Sequence, residues 1–419
     1  MKKMVLCLLA LCLFCGGPAF SGESIRVLLP RDSWVDALER HLIPEFEKET
    51  GIKVRMESFH EDQLSQKLGV EFTAGTDLDV FVTRPLNEGR MFERNGWYAD
   101  LTPYFKDDAE YDFYNDFAPA AQELTRINGI QTCIPVSNEC HVLYYRTDIF
   151  EKHGLRPPKT FAELEETAKL LTDRGNDFYG VLLRGQRSPL VTQFSSFLYG
   201  FGGDWFDAET GKATFDTPEA LNAIDFYGRL LREYGPPGAA NMSWPQMMAV
   251  YQQGKGAMYL DATGHFFMLL DPAKSDLASK TAVAVFPAGP VANHPWMIPG
   301  TGLAIYSGSK NKDTAWKFIR FITDKVRTRY ILSEFGYLGA RQSSLDNPEE
   351  LKKFPVDMAE TIAIESKYAR SYDRPMLTAT QEARDVVGKT VVVSIMGGDY
   401  KAAAKKANEG LQALLDRER

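Results

Sequence analysis

Short apolar runs alternate with amphipathic helical stretches from residue 24 onward, and that order restricts the chain to a layered α/β architecture. "SIRVLLP" at 24–30 reads as a strand. "DALERHLIPEFEKET" follows with Leu38, Leu42, Ile43 and Phe46 on one helical stripe; Gly51 stops it, and "IKVRME" resumes with alternation. After another helix candidate comes the buried run "LDVFVT" at 78–83. Strand, helix, strand in this order predicts largely parallel sheets with helices on their faces. The pattern returns later with clearer ends. Thr160 and Glu163 form a capping box before Phe161, Leu164, Ala168 and Leu171, while Thr217, Pro218 and Gly235 bracket another helix.

The N-terminus predicts export. Lys2 and Lys3 precede an apolar run from Met4 to Phe14, and Ala19 and Ser21 supply the small residues of a cleavage site, so residues 1–21 read as a signal peptide. Cys12 and Cys15 raise a lipoprotein anchor, but Leu11 and Phe14 stand where lipoprotein processing needs a small residue. Cleavage leaves Cys133 and Cys140, a possible disulfide in an exported chain. The formal net charge of −8 becomes about −10 once Lys2 and Lys3 leave, which argues against nucleic acid or an anionic membrane as partner.

Catalytic motifs are few. "GKGAMY" at 254–259 starts like a dinucleotide loop, but Tyr259 takes the place of its third glycine. The histidines at 41, 60, 141, 153, 265 and 294 lack the spacing of paired metal ligands, and no cofactor or metal is expected. Binding is better supported, because ligands of α/β sheets sit beyond the carboxyl ends of the strands. Four polar clusters occupy such ends: "PRDSW" at 30–34, "TRP" at 83–85, "RGQ" at 184–186 and "DATGH" at 261–265. Each is also readable as an ordinary exposed loop. Trp97 and Trp316 read as packing; Trp34, Trp205, Trp244 and Trp296 lie at loops or helix starts, where packing and contact with a sugar ring are both open. "GIQTCIPVSNECHVLYYRTDIF" is either a local hairpin or a passage between lobes.

"GTGLAIYSGSKNKDTAWKFIRFITD", "FGGDWFDAETGKATFDTPEALNAIDFY", "YQQGKGAMYLDAT" and "CHVLYYRTDIFEKHGL" resemble family 1 extracellular solute-binding proteins, the periplasmic receptors of carbohydrate ABC importers. "EYGPPGA" followed by "GKGAMYLDAT" is similar to the branch associated with mannitol, sorbitol and related polyols. The resemblance implies two α/β lobes, each a mostly parallel sheet flanked by helices, joined by hinge strands around a cleft. Residues 22–140 with 297–345 would form the N-terminal lobe, and 141–296 with 346–419 the C-terminal one. Segment 138–145 becomes a crossing, and the stretch near 295–302 the return. Carried over residue by residue, the ligand site comprises Asn138 and Glu139 at the crossing, Trp244, Asp261 and Trp296, with Trp34, Thr83, Arg84 and Arg184 added from strand ends.

The implied function is capture of a small sugar or sugar alcohol in the periplasm by a monomer, and its delivery to an inner-membrane ABC permease without chemistry. Chemosensing would use the same closed form. Two arginines facing two carboxylates favour a neutral ligand; a buried arginine pair with the carboxylates turned away would favour a sugar acid or sulfonated sugar. The remaining alternative is a secreted glycoside hydrolase, using a carboxyl pair across the cleft.

Overall fold

A computed structural model describes residues 23–31, 33–345 and 357–418. The expected signal peptide, with Cys12 and Cys15, lies outside the described residues. Strands β1 (Ser24–Pro30), β2 (Lys53–Phe59) and β3 (Val80–Thr83) form with helices between them. β1 pairs in parallel with both β2 and β3. β4 (Arg126–Ile127) and β5 (Ile130–Gln131) make a small hairpin, with Asn128 at φ 48° and Gly129 at φ 88° in its turn. The first sheet is completed by β6 (Ile134–Pro135) and β12 (Gly302–Ile305), in the order β2-β1-β3-β12-β6. β12 runs antiparallel to both neighbours.

The second sheet contains β7 (Glu139–Arg146), β8 (Tyr179–Leu182), β9 (Gly256–Ala262) and β10 (Thr281–Val285), in the order β10-β7-β9-β8. The two-residue strand β11 (Met297–Ile298) pairs with the start of β7. Only β8 and β9 are parallel here; β7 is antiparallel to β9, β10 and β11. The expectation of mostly parallel sheets is therefore corrected to mixed sheets. The reason lies in connectivity: β7 and β12 each arrive from the other sheet, so no right-handed βαβ crossover sets their direction.

Two separate apolar cores follow. Trp34, Phe46, Phe81, Phe105, Phe318 and Ile319 belong to the core of the first sheet. Tyr144, Phe194, Trp205, Tyr227, Tyr259 and Val387 belong to that of the second. A helix buried along its whole length, Leu190–Gly200, is part of the second core. The helix Trp244–Gln252 is fixed by a capping box between Ser243 and Gln246, and β9 behind it is buried at every residue.

Register locates the cleft. β6 ends at Pro135 beside Gly302, and Gly302 faces Thr83, the last residue of β3. On the second sheet, His141 at the start of β7 faces Ala262, the last residue of β9. The segments 136–138 and 299–301 therefore join the carboxyl edges of β3 and β6 to those of β8 and β9. "PVSNE" is a passage between sheets and not a hairpin turn. The switch points expected at 140/141 and 296/297 lie just inside the β7–β11 pairing.

Cys133 and Cys140 are free and buried, and the expected disulfide is corrected accordingly. The first belongs to the core of the first sheet, with its Sγ against the Gly302 backbone. The second belongs to the other core, and its backbone N–H donates to Thr263 Oγ1 at 3.1 Å. An extended crossing separates them, so their side chains serve different lobes. Burial pushes the Cys133 thiol up to about 12 and also raises that of Cys140, leaving both unreactive.

Candidate functional site

The two carboxyl edges touch. Leu86, just beyond β3, shares an apolar cluster with Ala262, Trp296 and Ile298. Next to it, Asn87 Oδ1 accepts from Arg384 Nη1 at 3.1 Å and from Arg374 Nη1.

Asp261 answers why an acid ends a buried strand. Its carboxylate accepts from Arg184 Nε at 3.0 Å, from Arg184 Nη2, from Tyr259 O–H at 2.8 Å and from the Ala262 N–H at 2.7 Å. Although burial opposes the charge, Arg184 holds the carboxyl down at about 2 and is itself shifted upward by Asp261. His265 Nδ1 lies 3.0 Å from the Tyr259 hydroxyl, and burial lowers this imidazole to about 4, keeping it neutral. Trp244, partly exposed at its helix start, tilts against His265 with centroids 5.0 Å apart.

Trp296 is 1% exposed and stacks on His141 at 5.4 Å and 18°. Ser196 Oγ joins them, 2.9 Å from His141 Nδ1 and accepting the Trp296 N–H at 3.2 Å. The Trp296 indole N–H is buried without a partner, as is Asn138 Oδ1 at the crossing. Glu139 packs between the backbone of the return crossing at Gly300 and the turn after β9 at Gly264. A Cβ on Gly264 or on Gly300 would come within 3.0 or 2.8 Å of its Oε1.

Strand ends of the first sheet behave differently. Thr83 is fully buried and its hydroxyl lies 2.6 Å from Tyr98 O–H, inside the core. Arg84 donates to Ser65 Oγ at 2.7 Å and pairs with Glu88 at 3.3 Å. It borders a space of about 10 Å³ together with Pro30 and Thr301. Trp34 is 1% exposed, lies 5.9 Å from Tyr337, and walls a second space of about 20 Å³ with Val136 and Arg341. Each space is about one water in size. Arg184, Asp261, Trp244 and Trp296 thus cluster along the edge of the second sheet, with Asn138 and Glu139 at the crossing. Thr83 and Trp34 point their polar and aromatic parts into the first core.

Sequence reasoning passed over Asn87, Gln193, Asp373, Arg374 and Arg384. Gln193 is fully buried with neither amide atom partnered. It shares a helix face with Ser196 by i, i+3 spacing. A glutamine inside the otherwise buried run "LVTQFSSFLYG" was the available signal. Arg384 had none, because "TQEARDVV" reads as the solvated start of a helix.

Asp77 and Asp79 are structural: Asp77 pairs with Arg26 and Arg55, and Asp79 accepts from Ser309, Asn311 and the Arg26 N–H. Trp205 is core as well, donating to Tyr199 O–H at 2.8 Å. Among the described residues no group of three or more His, Cys, Asp or Glu could hold a metal, and no helix is long and apolar enough to cross a membrane.

Two mixed sheets facing each other across paired crossings define a two-lobed binding protein. Residues 31–326 match the bacterial extracellular solute-binding proteins, and the chain belongs to that family. It is 27% identical over 335 residues to the mannitol-binding protein of Pseudomonas aeruginosa, covering 79% of this chain and 76% of that one. An ABC transporter solute-binding protein from Agrobacterium radiobacter K84, in complex with ribitol, superposes with a TM-score of 0.83 at 27% identity, over 94% of this chain and 99% of that one. Another, from Agrobacterium vitis S4 with bound D-mannitol, gives 0.79 at 25% identity, over 95% and 98%.

Proposed function

We propose that this chain is a receptor that captures a small sugar or sugar alcohol between two lobes and delivers it, unaltered, to an ABC permease. The observation that carries this reading is the set of buried polar atoms without partners along the cleft: the Gln193 amide, Asn138 Oδ1 and the Trp296 indole N–H. Unpartnered buried donors and acceptors are costly, and ligand hydroxyls would satisfy them. The ligands bound by similar proteins, ribitol and mannitol, carry such hydroxyls on every carbon.

The lobes divide, in this reading, at 136–138 and 299–301, close to the boundaries expected from sequence; the third expected boundary, at 345/346, borders residues that are not described. Lobe closure about these segments would bring the first-sheet edge, with Arg84 and Asn87, onto Arg184, Asp261, Trp244 and Trp296. Asp261 is an anchor and not an acid catalyst, because Arg184 keeps it ionised. That weighs against the hydrolase alternative. Export through residues 1–21, a periplasmic location and a monomeric state complete the proposal.

A thermal-shift and calorimetric screen against ribitol, D-mannitol, erythritol and common hexoses tests it. At least one should raise the melting temperature, bind with one-to-one stoichiometry and be recovered unchanged. Failure of every sugar and polyol together with their acidic derivatives, or conversion of one to product, would overturn the reading.

A further inference from the structure

We propose that the ligand carries an anionic group, a carboxylate, sulfonate or phosphate, held in the cleft by Arg374 and Arg384 opposite Asn87. This rests on the sugar-receptor reading above and narrows it to an acidic sugar or polyol.

Four arginines converge on the cleft, and three have carboxylates of their own. Arg84 pairs with Glu88, Arg184 with Asp261 and Arg374 with Asp373. Arg384 is only 8% exposed, and among the described residues no carboxylate lies within ion-pair distance of it. Its Nη1 donates to Asn87 Oδ1 at 3.1 Å and its Nη2 to Thr192 Oγ1 at 3.5 Å, while its Nε–H has no partner. Arg374 uses the same two acceptors, reaching Thr192 Oγ1 at 3.3 Å. Two buried guanidiniums therefore share one amide oxygen and one hydroxyl, and only Arg374 is paired with an aspartate. An uncompensated buried charge is expensive, and arginine cannot relieve it by losing its proton at physiological pH. Burial, together with the charges of Arg374, Arg184 and Arg84, disfavours the Arg384 cation against the pull of Asp373.

The missing element is a negative charge. Forked guanidiniums suit planar or tetrahedral oxyanions, which accept several N–H groups at once. Asn87 Oδ1 occupies the point where both Nη1 atoms meet, and it comes from the opposite lobe. It is thus the neutral oxygen that an anion's oxygen would replace or join when the cleft opens and refills. Gln193, the chain neighbour of Thr192, together with Trp296 and Asn138, carries unpartnered neutral donors and acceptors suited to hydroxyls.

Matched ligand pairs test this on the leaderless chain: ribitol against D-ribonate, D-mannitol against D-mannonate, and both against mannitol 1-phosphate and a sulfonated hexose. Calorimetry at low salt should give at least about tenfold tighter binding of an anionic member than of its neutral partner, weakening with ionic strength. The preferred anion distinguishes carboxylate, sulfonate and phosphate. In Arg384→Gln, whose melting curve verifies folding, the preference should fall below about threefold. Equal or tighter binding of the neutral partner in the unaltered chain would overturn the anion site and leave the receptor reading intact. Binding by no member of either set would overturn both.

Discussion

Arg184 grips Asp261 through Nε and Nη2 across 77 residues of sequence, and the aspartate is wholly buried. With Tyr259 and the Ala262 N–H also on that carboxylate, Asp261 is committed to the protein before any ligand arrives. Arg184 keeps Nη1 as its remaining donor. The pair orients a cation at the strand end, and the acid supports it from behind.

Replacing Asp261 by Asn should therefore do more than weaken ligand binding. It leaves the Arg184 guanidinium without its counter-charge, which costs about 3–5 kcal/mol where a partner is removed from a buried pair. Urea unfolding of Asp261→Asn should give a midpoint well below that of the parent chain. An unchanged midpoint would contradict the anchor role.

Acid should destabilise the fold in two stages. Burial lowers His141 to about 3 and His265 to about 4, below the ordinary value of 6.5. The unfolded chain takes up these protons first, so stability is complete above pH 6.5 and declines as pH falls toward 4 and then 3. Asp261, held at about 2, adds a loss between pH 4 and 2, because its depressed value stabilises only while the carboxylate survives. In Glu365→Gln, which removes an opposing titration, melting temperatures at pH 7.5, 5.5 and 4.5 should fall in that order.

Glu365 behaves in the opposite sense. It is fully buried near Phe286, whose backbone N–H donates to Oε1, while Oε2 is unpartnered. Burial raises its carboxyl to about 8, so it favours folding most below pH 4.5, and that contribution is lost as pH rises to 8. Glu365→Gln preserves the acceptor without the ionisable proton. It should stabilise the chain by roughly 2–4 kcal/mol at pH 8 and hardly at all at pH 4, as read from denaturation at both values.

Trp296 separates packing from recognition. Trp296→Ala would open a cavity beside His141 and cost about 3–5 kcal/mol. Trp296→Phe retains an aromatic ring and removes only the unpartnered indole N–H. It should cost under about 1.5 kcal/mol of stability while weakening ligand binding about tenfold. Calorimetry and thermal melts on this variant give both readings.

Two thiols should titrate in the denatured, unreduced leaderless chain and neither in the native one, since Cys133 and Cys140 are free and buried. A reducing agent should leave the melting temperature unchanged.

Much of the architecture was legible because strands and helices carry their periods locally. β1, β2 and β3 were read from apolar runs, and the helices at Phe161 and Pro218 from caps within three residues of their starts. Arg184 and Asp261 were legible as polar residues closing apolar runs, but not the pairing that keeps Asp261 wholly buried inside β9. Thr83 misled because its hydroxyl turned inward to Tyr98, a partner fifteen residues away that no spacing rule selects. The cysteines misled because seven residues of sequence hid a change of lobe.

The sequence by itself determined the alternation of elements, their ends and the composition of two cores, all consequences of side-chain period and capping. Only the tertiary structure decided which way β7 and β12 run and which arginine is left without a carboxylate. Asn87 meets Arg374 and Arg384 over separations of 287 and 297 residues. Contacts of that span depend on where the crossings set the two sheet edges, and neither periodicity nor local spacing encodes that placement.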